Sequence, residues 1–223
     1  MAGDDRALGG YHLSTAYRMC LTASIDHLHA LTTLIVDQEI LHLAAPASLA
    51  RGTLETAATA FWLINPKSRD ERITRTLRWW SKNATDSDRA TANLKSVGGQ
   101  PAATVIAKLA AVATARGLDG KQATKGMTST EVVTYAQDNA TSKDGDKIPV
   151  LFPWQLCSGF AHGRPWAYMG SLNQEPLPTA DPTVQNVRLT NDLSRALYPA
   201  LTGLHLIESG LRAHRGRAQG GSS

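Results

Sequence analysis

The chain has 223 residues, of which 42% are hydrophobic and 19% charged; this composition excludes a disordered chain and allows a sizeable core. No uninterrupted apolar run approaches the roughly 18 residues of a membrane-spanning helix. The N-terminus carries acidic residues where a secretory signal carries basic ones, and the two cysteines imply no disulfide framework. We therefore expect a cytoplasmic protein without membrane contact. The net charge of +4 permits an anionic partner without requiring one.

Helical periodicity dominates the first hundred residues. Apolar residues recur at helical spacing over 11–43, which predicts a first long helix. A second helix is predicted over 46–65, because a proline can open it and the residue before the next proline avoids helical backbone. Ser68 and Glu71 have the spacing of a capping box, which predicts the start of a third helix. Its predicted end is the break at Gly98–Gly99.

The second half of the chain is also mainly helical by pattern. A short alanine-rich helix is predicted over 101–117, and a second capping box opens at Thr128. Residues 173–186 contain three prolines, which predicts a long loop or a short hairpin there. The last long helix is predicted over 190–214.

These elements predict an all-α fold. We expect one globular domain of five to seven helices over residues 1–214, followed by a disordered tail over 215–223. Heptads are not sustained, so the pattern indicates a globular bundle and not a coiled coil.

The second predicted helix contains one charged turn in an otherwise apolar sequence. Arg51 and Glu55 lie four residues apart on one face, among alanine, leucine and aromatic side chains. A helix this apolar is expected to be buried, and a buried carboxylate needs a partner. Two interpretations stay open. The pair is either a structural lock, whose loss would cost ~3–5 kcal/mol, or part of a polar site in the core.

A second polar group lies in residues 154–167, with the sequence WQLCSGFAHGRPWA. Ser158 and His162 are one helical turn apart. Gly163 can end that helix, and Arg164 follows. His162 is therefore expected at a helix C-terminus, where the backbone dipole favours its protonated form. A histidine beside an arginine, a serine and two tryptophans suits binding or cleavage of a phosphodiester; a capped helix end is the alternative.

The third predicted helix carries a stripe of basic side chains. Arg72, Arg75, Arg78 and Lys82 recur at spacings of three, three and four, which places them on one face. Such a stripe is a candidate track for a nucleic-acid backbone. The alternative is the ordinary solvated face of an amphipathic helix.

A metal centre is a further possibility. Glu39 and His42 have the Glu-x-x-His spacing of di-iron carboxylate bundles, and Glu55 is a candidate additional ligand. Such a site needs a second Glu-x-x-His, but His205 and Glu208 occur in the reverse order. The chain also lacks a Gly-rich phosphate loop and a Cys-rich zinc pattern, so we expect neither a metal nor another cofactor.

Three segments together resemble a known superfamily. They are DHLHAL at 26–31, LARGTLETAATAFWLI at 49–64 and LCSGFAHGRPWA at 156–167. These segments look like those of bacterial helical proteins related to the HEPN superfamily. The resemblance implies an all-α and often dimeric protein. Many members are metal-independent ribonucleases of toxin–antitoxin or phage-defence systems, and others only bind nucleotides.

The chain departs from the pattern of the nuclease-active members, which have an arginine a few residues before the histidine. The residues just before His162 include no arginine, so a cation at the site must come from Arg51 or Arg164. The resemblance then implies an endoribonuclease in which His162 moves the proton and one of these arginines stabilises negative charge. Glu55 would orient Arg51, and Ser158 would orient His162 or a phosphate oxygen.

The expected partners are RNA, a second copy of the chain in a homodimer, and an antitoxin or other protein. Two alternatives to the ribonuclease stay open. One is a non-enzymatic helical module that binds nucleic acid or protein. The other is a metal-dependent oxidoreductase built in the helical bundle.

Overall fold

The computed structural model describes residues 1–93 and 100–219, and over these residues it confirms the all-α class. The helices are α1 (Ala2–Ala7), α2 (Leu13–Thr32), a π-helical turn (Thr33–Asp37), α3 (Ala45–Ile64), α4 (Arg69–Thr91), α5 (Ala102–Thr114), α6 (Gly120–Thr124), α7 (Ser129–Asn139), α8 (Leu151–Ala161), α9 (Pro165–Ser171) and α10 (Leu193–Gln219). The strands are β1 (Asn173–Leu177) and β2 (Asn186–Thr190). The ten described α-helices outnumber the predicted five to seven, because the short helices α1, α6 and α9 were not predicted.

The first long helix is shorter than predicted. The α-helical part ends at Thr32, and the π-helical turn that follows ends at Asp37. Glu39 then adopts a φ of 53°, a left-handed conformation that stops the helix. The backbone N–H of Ile40 bonds back to the Leu34 carbonyl at 3.0 Å and closes this end. Residues 39–43 are therefore not helical, contrary to the prediction.

Both predicted helix caps are confirmed. The Ser68 hydroxyl accepts a hydrogen bond from the backbone N–H of Glu71 at 3.3 Å. The Thr128 hydroxyl accepts one from the backbone N–H of Glu131 at 3.1 Å. The predicted break at Gly98–Gly99 lies outside the described residues.

The Pro-rich segment forms the short hairpin that the sequence allowed as an alternative to a loop. Strands β1 and β2 pair antiparallel, with Asn173 opposite Thr190 and Leu177 opposite Asn186. Helix α10 continues to Gln219, so residues 215–219 are helical and not a disordered tail. The Arg217 guanidinium holds this end by donating to two carbonyls of the loop after α3.

The chain divides into two compact units. The first unit consists of the described residues of Met1–Cys20, Thr59–Val132 and Gly210–Ser223. Its core contains large apolar side chains with no more than 2% exposure, including Phe61, Trp62, Leu77 and Leu109. Asp4 is also buried there and accepts two hydrogen bonds from the Arg72 guanidinium, at 2.9 and 3.2 Å. A single domain over 1–214 stays a prediction.

The second unit consists of Leu21–Ala58 and Val133–Ser209. One apolar cluster joins Leu31 and Ile35 to Ala196 and Ala200. Another joins Phe160 of α8 to Ala167 of α9 and to Leu172. All the candidate catalytic residues lie in this unit.

One described helical stretch, Leu13–Asp37, has the length and mean hydropathy (1.3) of a membrane span. Core helices of water-soluble proteins and signal sequences meet the same criteria, so this feature alone assigns no location.

Candidate functional site

Helix α8 carries most of the site, and its N-terminus is fixed by a side chain from α7. The Gln137 side-chain oxygen accepts hydrogen bonds from the backbone N–H groups of Val150 and Leu151, at 2.7 and 3.0 Å. These are N–H groups at the start of a helix, which have no partner within the helix. The α7 glutamine therefore sets where α8 begins.

The C-terminus of α8 is closed by a tight turn at Gly163. Arg164 donates its backbone N–H to the Gly159 carbonyl at 2.8 Å, and Gly163 donates to the Phe160 carbonyl at 3.1 Å. Gly163 has a φ of 62°, which glycine adopts without the penalty of a side chain. His162 is thus the C-cap residue at the C-terminus of α8, as predicted, and Arg164 is the N-cap residue of α9.

Helix α9 packs closely on α8 because residue 159 is glycine. A Cβ atom at Gly159 would fall 2.7 Å from Cζ2 of Trp166 and 2.7 Å from Cβ of Ala167. The absence of a side chain lets the Trp166 indole lie against the α8 backbone. Trp166 nevertheless remains 54% exposed, so part of its side chain is accessible from the cleft.

The charged turn of α3 is connected to α8 by a closed ring of hydrogen bonds. Arg51 Nη2 contacts Glu55 Oε2 at 3.3 Å, and Arg51 Nε donates to Ser158 Oγ at 3.0 Å. The Trp154 indole N–H donates to Glu55 Oε2 at 3.2 Å. The Ser158 hydroxyl donates to the Trp154 carbonyl at 2.9 Å, which completes the ring. We refer to these four residues as the α3–α8 circuit.

The circuit is half-buried and not sealed in a dry core. The side chains of Arg51 and Glu55 are 31% and 29% exposed. The two charged groups therefore stay partly hydrated. Hydration lowers the desolvation cost of the ion pair and also weakens the attraction between its charges. Most of the second half of α3 is buried, as expected for so apolar a helix, while its charged turn is partly exposed.

A cleft of about 380 Å³ lies beside the circuit, between α8 and the start of α9. Trp154 and Ser158 of the circuit contribute to its wall, together with His162, Arg164 and Trp166. Its volume falls within the roughly 300–1,000 Å³ typical of small-molecule sites. Arg51 and Glu55 are not among the residues that line it, so they reach the cleft only through Trp154 and Ser158.

His162 and Arg164 are the ionisable groups that line the cleft. Both are exposed. Over residues 1–93 and 100–219, neither side chain makes a hydrogen bond or an ion pair. An imidazole and a guanidinium without partners of their own can bind an anionic ligand and exchange a proton with it.

The Ser158 hydroxyl and the Cys157 thiol of α8 are not set up to act as nucleophiles. The Ser158 hydroxyl hydrogen goes to the Trp154 carbonyl, and its oxygen accepts from Arg51, so no base is placed to deprotonate it. Burial raises the pKa of the Cys157 thiol to about 12, against a smaller opposing effect of the Arg51 charge. Ser158 therefore holds Arg51 and does not orient His162 in this structure.

The basic stripe of α4 does not form an exposed track. Arg72 is buried against Asp4, and Arg78 is buried with its guanidinium 2.6 Å from Glu131. Arg75 bonds to Glu71 and to the Trp62 carbonyl.

The guanidiniums of Arg75 and Arg78 also lie over the Trp62 ring, at 5.1 and 5.2 Å from its centroid. Lys82 is partly exposed, and its ammonium contacts the Asp86 carboxylate. Ion pairing within the first unit and burial leave little of the charge of Arg72, Arg75 and Arg78 available at the surface to a nucleic-acid backbone.

The metal-site pattern has no complete ligand set among the residues that the structure describes. No group of three or more His, Cys, Asp or Glu side chains comes close enough there to hold an ion. Glu39 and His42 follow the end of the π-helical turn, so the helical Glu-x-x-His face is not formed. His205 and Glu208 make an exposed pair with each other at 3.3 Å.

A larger groove of about 500 Å³ also occurs in the second unit. Its walls are mainly apolar, with Phe152, Leu156 and Phe160 of α8 facing Tyr198 of α10. Its one cationic wall residue, Arg195, is already paired with Asp192 at 3.1 Å. The groove therefore offers shape and apolar area but no unengaged charge.

The sequence alone missed three residues on which the site depends. Gln137 caps α8 from another helix, and Gly159 admits the Trp166 ring. Gly52 of α3 has the same kind of role, because a Cβ atom there would lie 1.9 Å from Cδ2 of the His27 ring on α2. The glycines were visible in the sequence as small residues inside helices, which can mark close packing.

Comparison of the chain with protein-family models, with curated proteins and with solved structures gave no match.

Proposed function

We propose that the cleft between α8 and α9 binds single-stranded RNA and cleaves its phosphodiester backbone without a metal ion. The observation that supports this most directly is the pair of exposed, unengaged side chains His162 and Arg164 in one cleft. RNA carries its own nucleophile, the 2′-hydroxyl, so a base and a cation suffice for chemistry at the phosphate. The HEPN resemblance points to the same reaction and stays a prediction.

In the proposed reaction, the His162 imidazole accepts the proton of a ribose 2′-hydroxyl. The 2′-oxygen attacks the adjacent phosphorus, the bond from phosphorus to the 5′-oxygen breaks, and water protonates that leaving oxygen. The products are a 2′,3′-cyclic phosphate and a 5′-hydroxyl end. Arg164 contacts the phosphate oxygens and stabilises the negative charge that accumulates there. Arg51 acts indirectly, because its guanidinium is held by Glu55 and Ser158.

The test is cleavage of a single-stranded RNA oligonucleotide with EDTA present. We expect the wild type to cleave it, the variant His162→Ala to lose about 10²–10⁴-fold in rate, and Arg164→Gln to lose about 10²-fold or more. Matched controls are His29→Ala and Arg188→Gln, which remove an exposed histidine and an exposed arginine outside the cleft. Equal rates for wild type and His162→Ala would refute the catalytic role.

A non-enzymatic nucleic-acid-binding module is the second candidate. The observation that favours it is the pair of tryptophans, Trp154 and Trp166, which line the cleft and suit base stacking whether or not a bond is cleaved. The same assay separates the two candidates, because a pure binding module retains the oligonucleotide intact.

The expected homodimer and the toxin–antitoxin or defence setting stay predictions. The second unit offers a surface for a protein partner, since Leu201 and Leu204 of α10 are 51% and 38% exposed. Exposed apolar side chains next to one another commonly mark protein interfaces.

A further inference from the structure

We propose that Trp154 and Trp166 form the two walls of a slot for one unpaired nucleobase, and that the Arg51–Glu55 pair positions the Trp154 wall. This inference rests on the proposed function, because it specifies which part of the RNA the cleft recognises. It gives the α3–α8 circuit a role in binding that the sequence did not indicate.

Trp166 supplies the open wall. Trp166 is 54% exposed although it is a large apolar residue, and its indole lies close to α8 at Gly159. Two features keep the ring in place: the bare backbone beneath it and the short helix α9 that begins one residue earlier at Pro165. A fixed, exposed aromatic face in a cleft is suited to stacking with a planar ring.

Trp154 supplies the second wall, and the circuit fixes its orientation. Its indole N–H is bonded to the Glu55 carboxylate, so the polar edge of the ring is already occupied. Glu55 is held by Arg51, and Arg51 is held by Ser158 one turn further along α8. Rotation of the indole would break this ring of hydrogen bonds, and what remains for a ligand is the aromatic face.

The charges in the cleft select the ligand class. Two tryptophans also suit an organic cation, but Arg164 lies in the same cleft and would repel one. A base joined to a phosphate satisfies both features: the base stacks on the indoles while the phosphate contacts Arg164 or His162. Bases in a duplex are stacked on their neighbours and are not available, so the slot requires a single strand.

The binding test uses the variant His162→Ala as the parent, so that cleavage does not deplete the probe. The probe is a short fluorescein-labelled single-stranded RNA, and the readout is fluorescence anisotropy. Trp166→Leu should bind it roughly 5- to 150-fold more weakly, the loss of one base stack, and Trp166→Phe should restore most of the affinity. The same strand annealed to its complement should bind poorly.

The matched control for loss of an aromatic ring is Phe152→Leu. Phe152 is an aromatic residue of α8 with 61% exposure, similar to that of Trp166, and it lines the larger groove and not the cleft. Its substitution should leave RNA affinity unchanged.

The positioning role of Glu55 is tested by RNA cleavage, in a protein that retains His162. Glu55→Leu removes the acceptor for the Trp154 N–H and should raise KM for single-stranded RNA while kcat stays near wild type. Glu55→Gln keeps a side-chain oxygen for that N–H and should restore KM. A merely structural role would lower stability in Glu55→Leu without this separation of KM from kcat.

The outcomes distinguish the slot from the proposed function. RNA binding that is lost in Trp166→Leu, without cleavage by the wild type, supports the slot and removes the ribonuclease. Equal affinity of Trp166→Leu and its parent refutes the slot even if cleavage depends on His162. Equal binding of duplex and single strand also refutes it, and a parent that binds no RNA refutes both proposals.

Discussion

The ion pair between Arg51 and Glu55 allows a quantitative test of how the circuit is built. The perturbation is a double-mutant cycle with Arg51→Met, Glu55→Gln and the double variant. Glutamine keeps an oxygen for the Trp154 N–H, so the cycle isolates the interaction between the two charges. The comparison pair is Arg188 with Glu175 on the hairpin, in the same unit.

The expected magnitude follows from exposure more than from distance. The hairpin pair is closer, at 3.0 Å against 3.3 Å, but its side chains are 62% and 61% exposed, about twice the exposure of Arg51 and Glu55. Exposed pairs contribute about 0.2–1 kcal/mol, whereas breaking a buried pair costs about 3–5 kcal/mol. For Arg51→Met we therefore expect a loss of about 1–2 kcal/mol, because Arg51 also loses its bond to Ser158.

The assay is urea unfolding of each variant, monitored by circular dichroism. We expect the coupling energy of the α3 pair to exceed that of the hairpin pair, which should be below about 0.5 kcal/mol. A coupling energy no larger than the hairpin value would refute the circuit. A loss well above 3 kcal/mol for Arg51→Met would instead mean that the pair is a buried lock, as one interpretation of the sequence holds.

Two further predictions concern other parts of the chain. Burial raises the pKa of both Cys20 and Cys157 to about 12, so both thiols stay protonated at neutral pH. A disulfide reagent should therefore titrate the two thiols only after the protein is unfolded. Rapid reaction of either thiol in the native chain would contradict this. Gly52→Ala should destabilise the protein by about 1–3 kcal/mol, because the new methyl overlaps the His27 ring. In a His27→Ala background, Gly52→Ala should instead raise the free energy of unfolding by up to about 1 kcal/mol, because alanine has the higher helix propensity. If Gly52→Ala lowers the free energy of unfolding in urea in both backgrounds, the close contact is refuted.

The local pattern of the sequence determined the fold class and several helix ends. Apolar spacing, caps at Ser68 and Thr128 and the stop at Gly163 depend on residues within one or two turns of each other. Such interactions can be recognised without knowing what the helix packs against. The same local pattern placed His162 at a helix end and Arg164 just beyond it.

The tertiary structure decided which polar groups are available. The charged residues of α3 and of the α4 stripe recur at similar helical spacing. In α3 the pair is local and partly exposed, whereas Arg72 and Arg78 of α4 are buried against carboxylates that are distant in sequence. Spacing defines a helix face but not what covers that face, so the stripe was open to two interpretations. The partners that settle it come from α1 and from the start of α7.

The same reason explains the site. That Arg51 bonds to Ser158, and Glu55 to Trp154, depends on contacts across about a hundred positions of the chain. No periodicity in either helix encodes that meeting, because it follows from which helices pack together. Sequence determined the chemistry that each helix carries, and packing alone determined which of those groups meet and which remain open to a ligand.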